Sequence, residues 1–210
     1  MVQINRVRMK EVKKVAETLF LAFQNEPFFD YLLSPTSWKS AKSLTKFRRD
    51  FFDYIAYAFI MSGTVYEIDG FKGVALWAGP GQDPYSTYTV LRSGLWRCVY
   101  RVPKEVVCRY TDEYLSKTCD ARERLMGKKK HWYLCFLAVR PEHQKRGLSR
   151  PLLDEVHRLC DKKKQQIYLE CNQSTNRSYY EHLGYSLNEM LQFDNNGSPI
   201  SLAVMSREAH

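Results

Sequence analysis

His131-Trp-Tyr-Leu-Cys-Phe-Leu-Ala-Val139 runs directly into Arg140-Pro-Glu-His-Gln144-Lys-Arg-Gly147-Leu-Ser149-Arg-Pro151, and a helical repeat follows. Nine residues with almost no polar break suit a strand covered on both faces, the central position of a sheet. From Pro151 to Lys164, residues Leu152, Leu153, Val156, Leu159 and Cys160 recur at helical spacing. Pro151 fits a first helical turn, Asp154 and Glu155 come early and three lysines come late, as the helix dipole favours. A short polar loop between such a strand and such a helix delivers consecutive backbone N–H groups to a helix N-terminus. That terminus has orphan donors and partial positive charge, so it is an anion site. Gly147 allows close approach of backbone to a ligand, and Lys145, Arg146 and Arg150 add fixed charge. The loop is neither Gly-x-Gly-x-x-Gly nor Gly-x4-Gly-Lys-Ser/Thr, which counts against dinucleotide and P-loop readings.

Around this centre the chain reads as alternating elements. Ile167 to Cys171 is a second buried strand, Thr175 can cap a short helix ending at Leu183, and Gly184 is suited to the residue after it. Leu191 to Phe193 and Ile200 to Met205 form a hairpin around Asp194-Asn195-Asn196-Gly197. Upstream, a short strand over 3–8 precedes a helix over 10–23, which Asn25-Glu26-Pro27 ends. A long helix spans about 37–61, and Thr64–Ile68 pairs with Gly73–Ala78 across the turn signal Asp69-Gly70. Residues 84–128 read as an irregular helical insert broken at Pro103. The order βα(α)ββ, insert, βαβαββ predicts one α/β (α+β) domain over 1–210.

Composition narrows the class. Of the 210 residues, 44% are hydrophobic and 26% charged, the balance of a folded soluble protein. No run approaches the ~18 apolar residues of a membrane span, and the first ten residues lack a secretory apolar segment. The six cysteines form no Cys-x-x-Cys pair and the five histidines no zinc spacing, so a reduced, intracellular (cytoplasmic), metal-free chain is expected. The net charge of +9 is dispersed, with triple runs only at 128–130 and 162–164. It reads as a solvated basic surface or the partner of a polyanionic cofactor, rather than a nucleic-acid footprint.

Gln144-Lys-Arg-Gly147-Leu-Ser149 resembles the Gln/Arg-x-x-Gly-x-Gly/Ala pyrophosphate loop of the GNAT acetyltransferase superfamily. Leu169-Glu170 on a strand, then Asn176 and Tyr180-Glu-His-Leu-Gly184-Tyr185, are similar to that superfamily's second cofactor region. Within it, the His-Trp-Tyr-Leu opening and the Val-x-Pro-x-His-Gln approach resemble puromycin N-acetyltransferase-like enzymes. The likeness covers about residues 131–185, and Ser149 stands where the family prefers Gly or Ala.

The resemblance implies a mixed, mostly antiparallel sheet of six to seven strands flanked by helices and splayed between its two central strands. It implies acetyl transfer from acetyl-CoA, with no metal, to the primary amine of a small molecule, by a monomer or homodimer without membrane attachment. Backbone of Leu137, Ala138 and Val139 would meet the pantetheine arm. Gln144, Lys145, Arg146, Gly147, Leu148, Ser149 and Arg150 would hold the pyrophosphate, and Asn176 the cofactor arm. Tyr180 matches the tyrosine that protonates the departing thiolate, since a phenol of pKa ~10 stays protonated at neutral pH. Glu170, a carboxylate in an apolar strand, is the candidate base, with His131 and His182 behind it. Among Phe28, Phe29, Tyr31, Trp77, Tyr85 and Trp96, the expected acceptor walls are Phe28 and Trp77. A protein or peptide N-acetyltransferase and a non-catalytic acetyl-CoA-binding module are the competing readings.

Overall fold

The computed structural model describes residues 3–194 and 199–209, without the side chains at 35 and 173–175. In chain order its elements are β1 (Ile4–Arg6), α1 (Val12–Ala22), α2 (Pro27–Leu33), α3 (Ala41–Ser62), β2 (Thr64–Ile68), β3 (Gly73–Ala78), α4 (Thr87–Ser93), α5 (Lys104–Cys108), α6 (Ser116–Met126), β4 (His131–Val139), α7 (Ser149–Lys163), β5 (Gln166–Asn172), α8 (Gln173–Glu181), β6 (Ser186–Phe193) and β7 (Ile200–Arg207). The element order is the expected one. The expected Thr175 cap and the turn at 195–197 lie outside the described side chains and residues. Helix α7 begins two residues before Pro151, and β6 begins five residues before Leu191.

The strands form one sheet in the order β1-β2-β3-β4-β5-β7-β6. Only β4 and β5 run parallel; the other neighbours are antiparallel. Each face buries its own core. On one face Leu152, Leu153, Val156 and Cys160 of α7 pack with Ala75, Trp77, Leu134 and Leu169. On the other, Val15 and Leu19 of α1 and Phe52, Ile55 and Phe59 of α3 pack with Val74, Leu76 and Ala138. These assignments follow the period of two along β3: Val74 and Leu76 face α1 and α3, while Ala75 and Trp77 face α7.

Ser40 caps α3 by accepting the Ser43 N–H, and Glu26 caps α2 by accepting the Phe29 N–H, with Pro27 at the first helical position. The insert is helical but irregular. After α4 and a 3-10 turn at Leu95–Cys98, α5 passes into a π-helical turn at Arg109–Leu115 and then into α6. Pro103 immediately precedes α5. No helix among the described residues is long and apolar enough to cross a membrane.

His157 sits buried in α7, its Nε2 2.9 Å from the Tyr185 hydroxyl and its Nδ1 3.7 Å from an Asp154 oxygen. Burial, with the Arg207 guanidinium next in importance, pushes its pKa from 6.5 down to about 4. A folded pKa below the unfolded one means the unfolded chain takes up the proton first as pH falls. The stabilisation is therefore complete above about 6.5 and is lost towards about 4. Urea midpoints measured across that range should fall in the wild type by the equivalent of at most ~3 kcal/mol. The slope should flatten in His157→Gln, and an unchanged slope in the variant would refute this assignment.

Candidate active site

The central apolar run hides an extra residue. In the β3–β4 ladder Leu76 faces Phe136 but Trp77 faces Leu134, so Cys135 is a bulge. Cys135 and Phe136 consequently turn to the same face of the sheet, packing beside the α1–α3 core. At the same point the neighbouring ladder stops. β4 pairs with β5 only through His131–Leu134 against Gln166–Leu169. Beyond it β4 stays on β3, while Glu170–Asn172 pair only with β7. The two central strands therefore part. The Arg140 N–H donates to Lys72 O at 2.9 Å on the β3 side, so backbone groups of Val139 and Leu137 alternate towards the open side. Ala138 turns its side chain into the α1–α3 core.

The loop after β4 is held from within. Gln144 Nε2 donates to Val139 O at 3.1 Å, and a 3-10 turn covers Pro141–His143. Lys145 and Gly147 both have positive φ, +59° and +74°. A Cβ on Gly147 would meet no protein atom within 4 Å. Among the described residues, the amides of Lys145, Arg146, Gly147, Leu148 and Ser149 donate to no protein acceptor. Unspent donors, an open side at the glycine and an unpaired strand edge suit an extended ligand with an anionic group at the α7 terminus. Ser149 gains a second role here: its Oγ lies 2.7 Å from the Tyr179 hydroxyl, tying the loop to α8.

A cavity of about 520 Å³ opens where the strands part. It is lined by Glu170 and Tyr133 from the α1–α3 side of the sheet and by Tyr180 of α8 from the other side, with Leu137 and Asn176 between. Tyr180 is 6% exposed, packed against Tyr179 and Tyr185. Its hydroxyl has no hydrogen-bond partner among the described residues. Burial, then the neighbouring Cys171, pushes its pKa well above the ordinary tyrosine value, so it remains protonated. Glu170 accepts from the Tyr133 hydroxyl at 2.7 Å and the Tyr168 hydroxyl at 2.9 Å. Burial raises its pKa and outweighs the two phenol hydrogen bonds and Arg122, which pull it down.

Of the six aromatic candidates, Phe28, Phe29, Tyr85 and Trp96 line the cavity. Trp77 does not, and the expectation is corrected. It is 0% exposed on the α7 face, edge-on to Trp132, because strand alternation points it away from the cavity. Tyr31 also lies outside the lining, donating to Glu113 Oε2 at 2.5 Å. His131 and His182 bond the carbonyls of Lys129 and Ser178 and do not reach the cavity. Sequence reasoning missed Tyr133, Tyr110, Tyr114 and Glu26. Tyr133 could have been found, since it and Glu170 share strand parity with Tyr168.

The comparisons agree with this architecture. A family model described as Acetyltransferase (GNAT) domain matches residues 115–202, and one described as YOR012W acetyl transferase domain matches residues 7–83. An uncharacterized N-acetyltransferase of Schizosaccharomyces pombe is 34% identical over 205 residues, covering 97% of this chain and 82% of that protein. The chain belongs to the GNAT acetyltransferase family: it is an acyltransferase, and the family uses acetyl-CoA as cosubstrate. Similar in fold are a crystal structure titled histone acetyltransferase HPA2 and related acetyltransferase from Corynebacterium glutamicum and that of a mosquito arylalkylamine N-acetyltransferase like 5b. The first has a TM-score of 0.68 at 20% identity over 100% of this chain and 97% of the other. The second has 0.56 at 18% over 99% and 100%.

The Ser149–Tyr179 bond can be isolated with a double-mutant cycle. Ser149→Ala and Tyr179→Phe should each raise the KM for acetyl-CoA about three- to tenfold, as expected for one hydrogen bond of roughly 1 kcal/mol. The double variant should add little to either, whereas additive effects would show that the two hydroxyls act separately.

Proposed function

We propose that this protein transfers acetyl directly from acetyl-CoA to the primary amine of a small molecule seated in the aromatic cavity. The observation that carries the reading is that one cavity reaches both faces of the sheet, bringing Glu170 and Tyr180 to opposite sides of the gap between β4 and β5. The likeness of residues 131–185 to puromycin N-acetyltransferase-like enzymes supports the same acceptor class.

When bound, the thioester supplies the activated acetyl group. The chain's own residues do the rest. Amides from Lys145 to Arg150 bind the diphosphate, with Lys145 and Arg146 as counter-charges. Backbone of Leu137 and Val139 orients the arm along the open edge, and Asn176 holds it from α8. Donors fixed at such an edge stabilise a developing oxyanion without reorganising. Glu170 takes a proton from the incoming ammonium at its carboxylate, through water where the amine does not reach it. Tyr180 Oη, kept protonated by burial, gives its proton to the departing sulfur. Phe28 and the other rings exclude water and pack the acceptor's carbon skeleton.

Thiol release across an amine panel tests the reading, preceded by a melting scan in which acetyl-CoA should stabilise the protein by mass action. Tyr180→Phe should keep that stabilisation and lose about 10²- to 10⁴-fold in kcat/KM. Glu170→Gln should lose a similar factor. In the wild type kcat/KM should rise with pH as the raised Glu170 carboxyl ionises, and that acid limb should vanish in Glu170→Gln. Wild-type turnover in both variants would overturn the assignment, and acetyl-CoA failing to stabilise the protein would overturn the enzyme.

A further inference from the structure

Glu26 has a structural duty that does not use all of it. One carboxylate oxygen accepts the Phe29 N–H at 2.7 Å, capping α2, and the other accepts from Asn172 Nδ2 at 3.1 Å. A carboxylate has about four lone-pair sites, so half remain. The residue lines the cavity. Asn172 follows Glu170 by two residues on β5, so Glu170 and the Glu26–Asn172 pair occupy successive positions on one strand face, roughly 7 Å apart.

The remaining lining is aromatic, aliphatic or neutral polar. Although the chain carries a net +9, no Lys, Arg or His is among the described residues lining this cavity. We propose that Glu26 is a specificity residue that binds the acceptor's ammonium, so that the acceptor is a hydrophobic amine bearing no carboxylate. The proposal rests on the acetyltransferase reading and narrows its substrate class.

Charge and shape argue the same way. In a cavity walled by rings, a fixed carboxylate attracts a cation far more strongly than in water. The same field rejects a carboxylate or phosphate on the ligand, which finds like charge and no basic residue among the described lining. A free amino acid therefore enters poorly although its amine is suitable. The volume, about 520 Å³, suits a ligand of drug size rather than a folded partner. Glu26 draws the ammonium in and Glu170, one strand repeat away, removes its proton.

The test uses acceptors differing in one charge: 2-phenylethylamine, L-phenylalanine methyl ester and L-phenylalanine, with spermidine and a lysine peptide beside them. The two uncarboxylated aromatic amines should exceed L-phenylalanine by about 100-fold or more in kcat/KM, as a like-charge penalty of that size requires. Glu26→Gln keeps an oxygen for the Phe29 N–H. It should raise the KM for 2-phenylethylamine about tenfold and narrow the discrimination against L-phenylalanine, leaving the KM for acetyl-CoA unchanged. The substrate comparison on the unaltered protein stands even if the variant folds poorly, which a melting curve shows. L-phenylalanine within threefold of its ester, preference for spermidine or the peptide, no turnover of any of these amines, or an unchanged KM in a folded Glu26→Gln would each overturn the proposal. If acetyl-CoA stabilises the protein in those cases, the Glu26 proposal alone fails; if it does not, the acetyltransferase reading fails with it.

Discussion

The structure turns on one unpaired stretch of backbone. A parallel pair in the middle of a sheet would ordinarily continue for the length of its strands, because every unmade ladder bond leaves buried donors and acceptors unsatisfied. Here the bulge at Cys135 rotates β4 away and the ladder with β5 ends at Leu134 and Leu169. The edge so created is tolerated for two reasons. Gln144 satisfies the Val139 carbonyl from the loop, and the rest of the edge opens on a cavity rather than on packed side chains. A strand edge in a site of this kind is a template for an extended ligand, in the way that exposed sheet edges accept a further strand. Closing the ladder would remove the cavity together with the open edge.

The same gap sets the electrostatics. Glu170 lies where a charge is costly, yet two phenols donate to it and Arg122 stands over the Tyr133 ring at 5.0 Å. Burial wins, because hydrogen bonds from neutral hydroxyls replace only part of the water a carboxylate loses. Tyr180 faces the opposite condition. Its neutral form is the one burial favours, so no partner is needed to keep its proton. One environment therefore pushes a carboxyl towards proton affinity and a phenol towards proton retention, as the proposed base and acid would require.

What could be read from the sequence follows from which signals have a period. The loop at 144–149 and the helix after it show plainly, since an anion-binding terminus needs a fixed spacing of glycine, charge and amphipathic turns. Strands β4 and β5 show equally well, but not which way their side chains point. In His131–Val139 and Gly73–Ala78 nearly every residue is apolar, so there is no alternation to read and a one-residue bulge leaves no mark. Nothing in such a run tells that Trp77 points to α7 and away from the cavity. The insert was illegible for a different reason. Its 3-10 and π turns interrupt the 3.6-residue period on which a helical reading depends. Ser149 looked like a departure from the family pattern because its partner, Tyr179, lies thirty residues away.

The site thus has two halves under different constraints. In the proposed reading the cofactor half is built from backbone, shaped by the bulge, the positive φ at Gly147 and the start of α7. In the same reading the acceptor half adds side chains of α2, α3 and the insert, which lie outside the sheet ladder, to Tyr133, Glu170 and Asn172 of the strands. In that reading, changing a ring there alters the cavity and the acceptor preference without disturbing β4 or α7. Glu26 is the exception within the acceptor half: it caps α2 and, through Asn172, is fastened to β5 itself. A carboxylate anchored to the sheet keeps its distance from Glu170 whatever the surrounding rings do, and it is the position at which the wall of rings and the strand are joined.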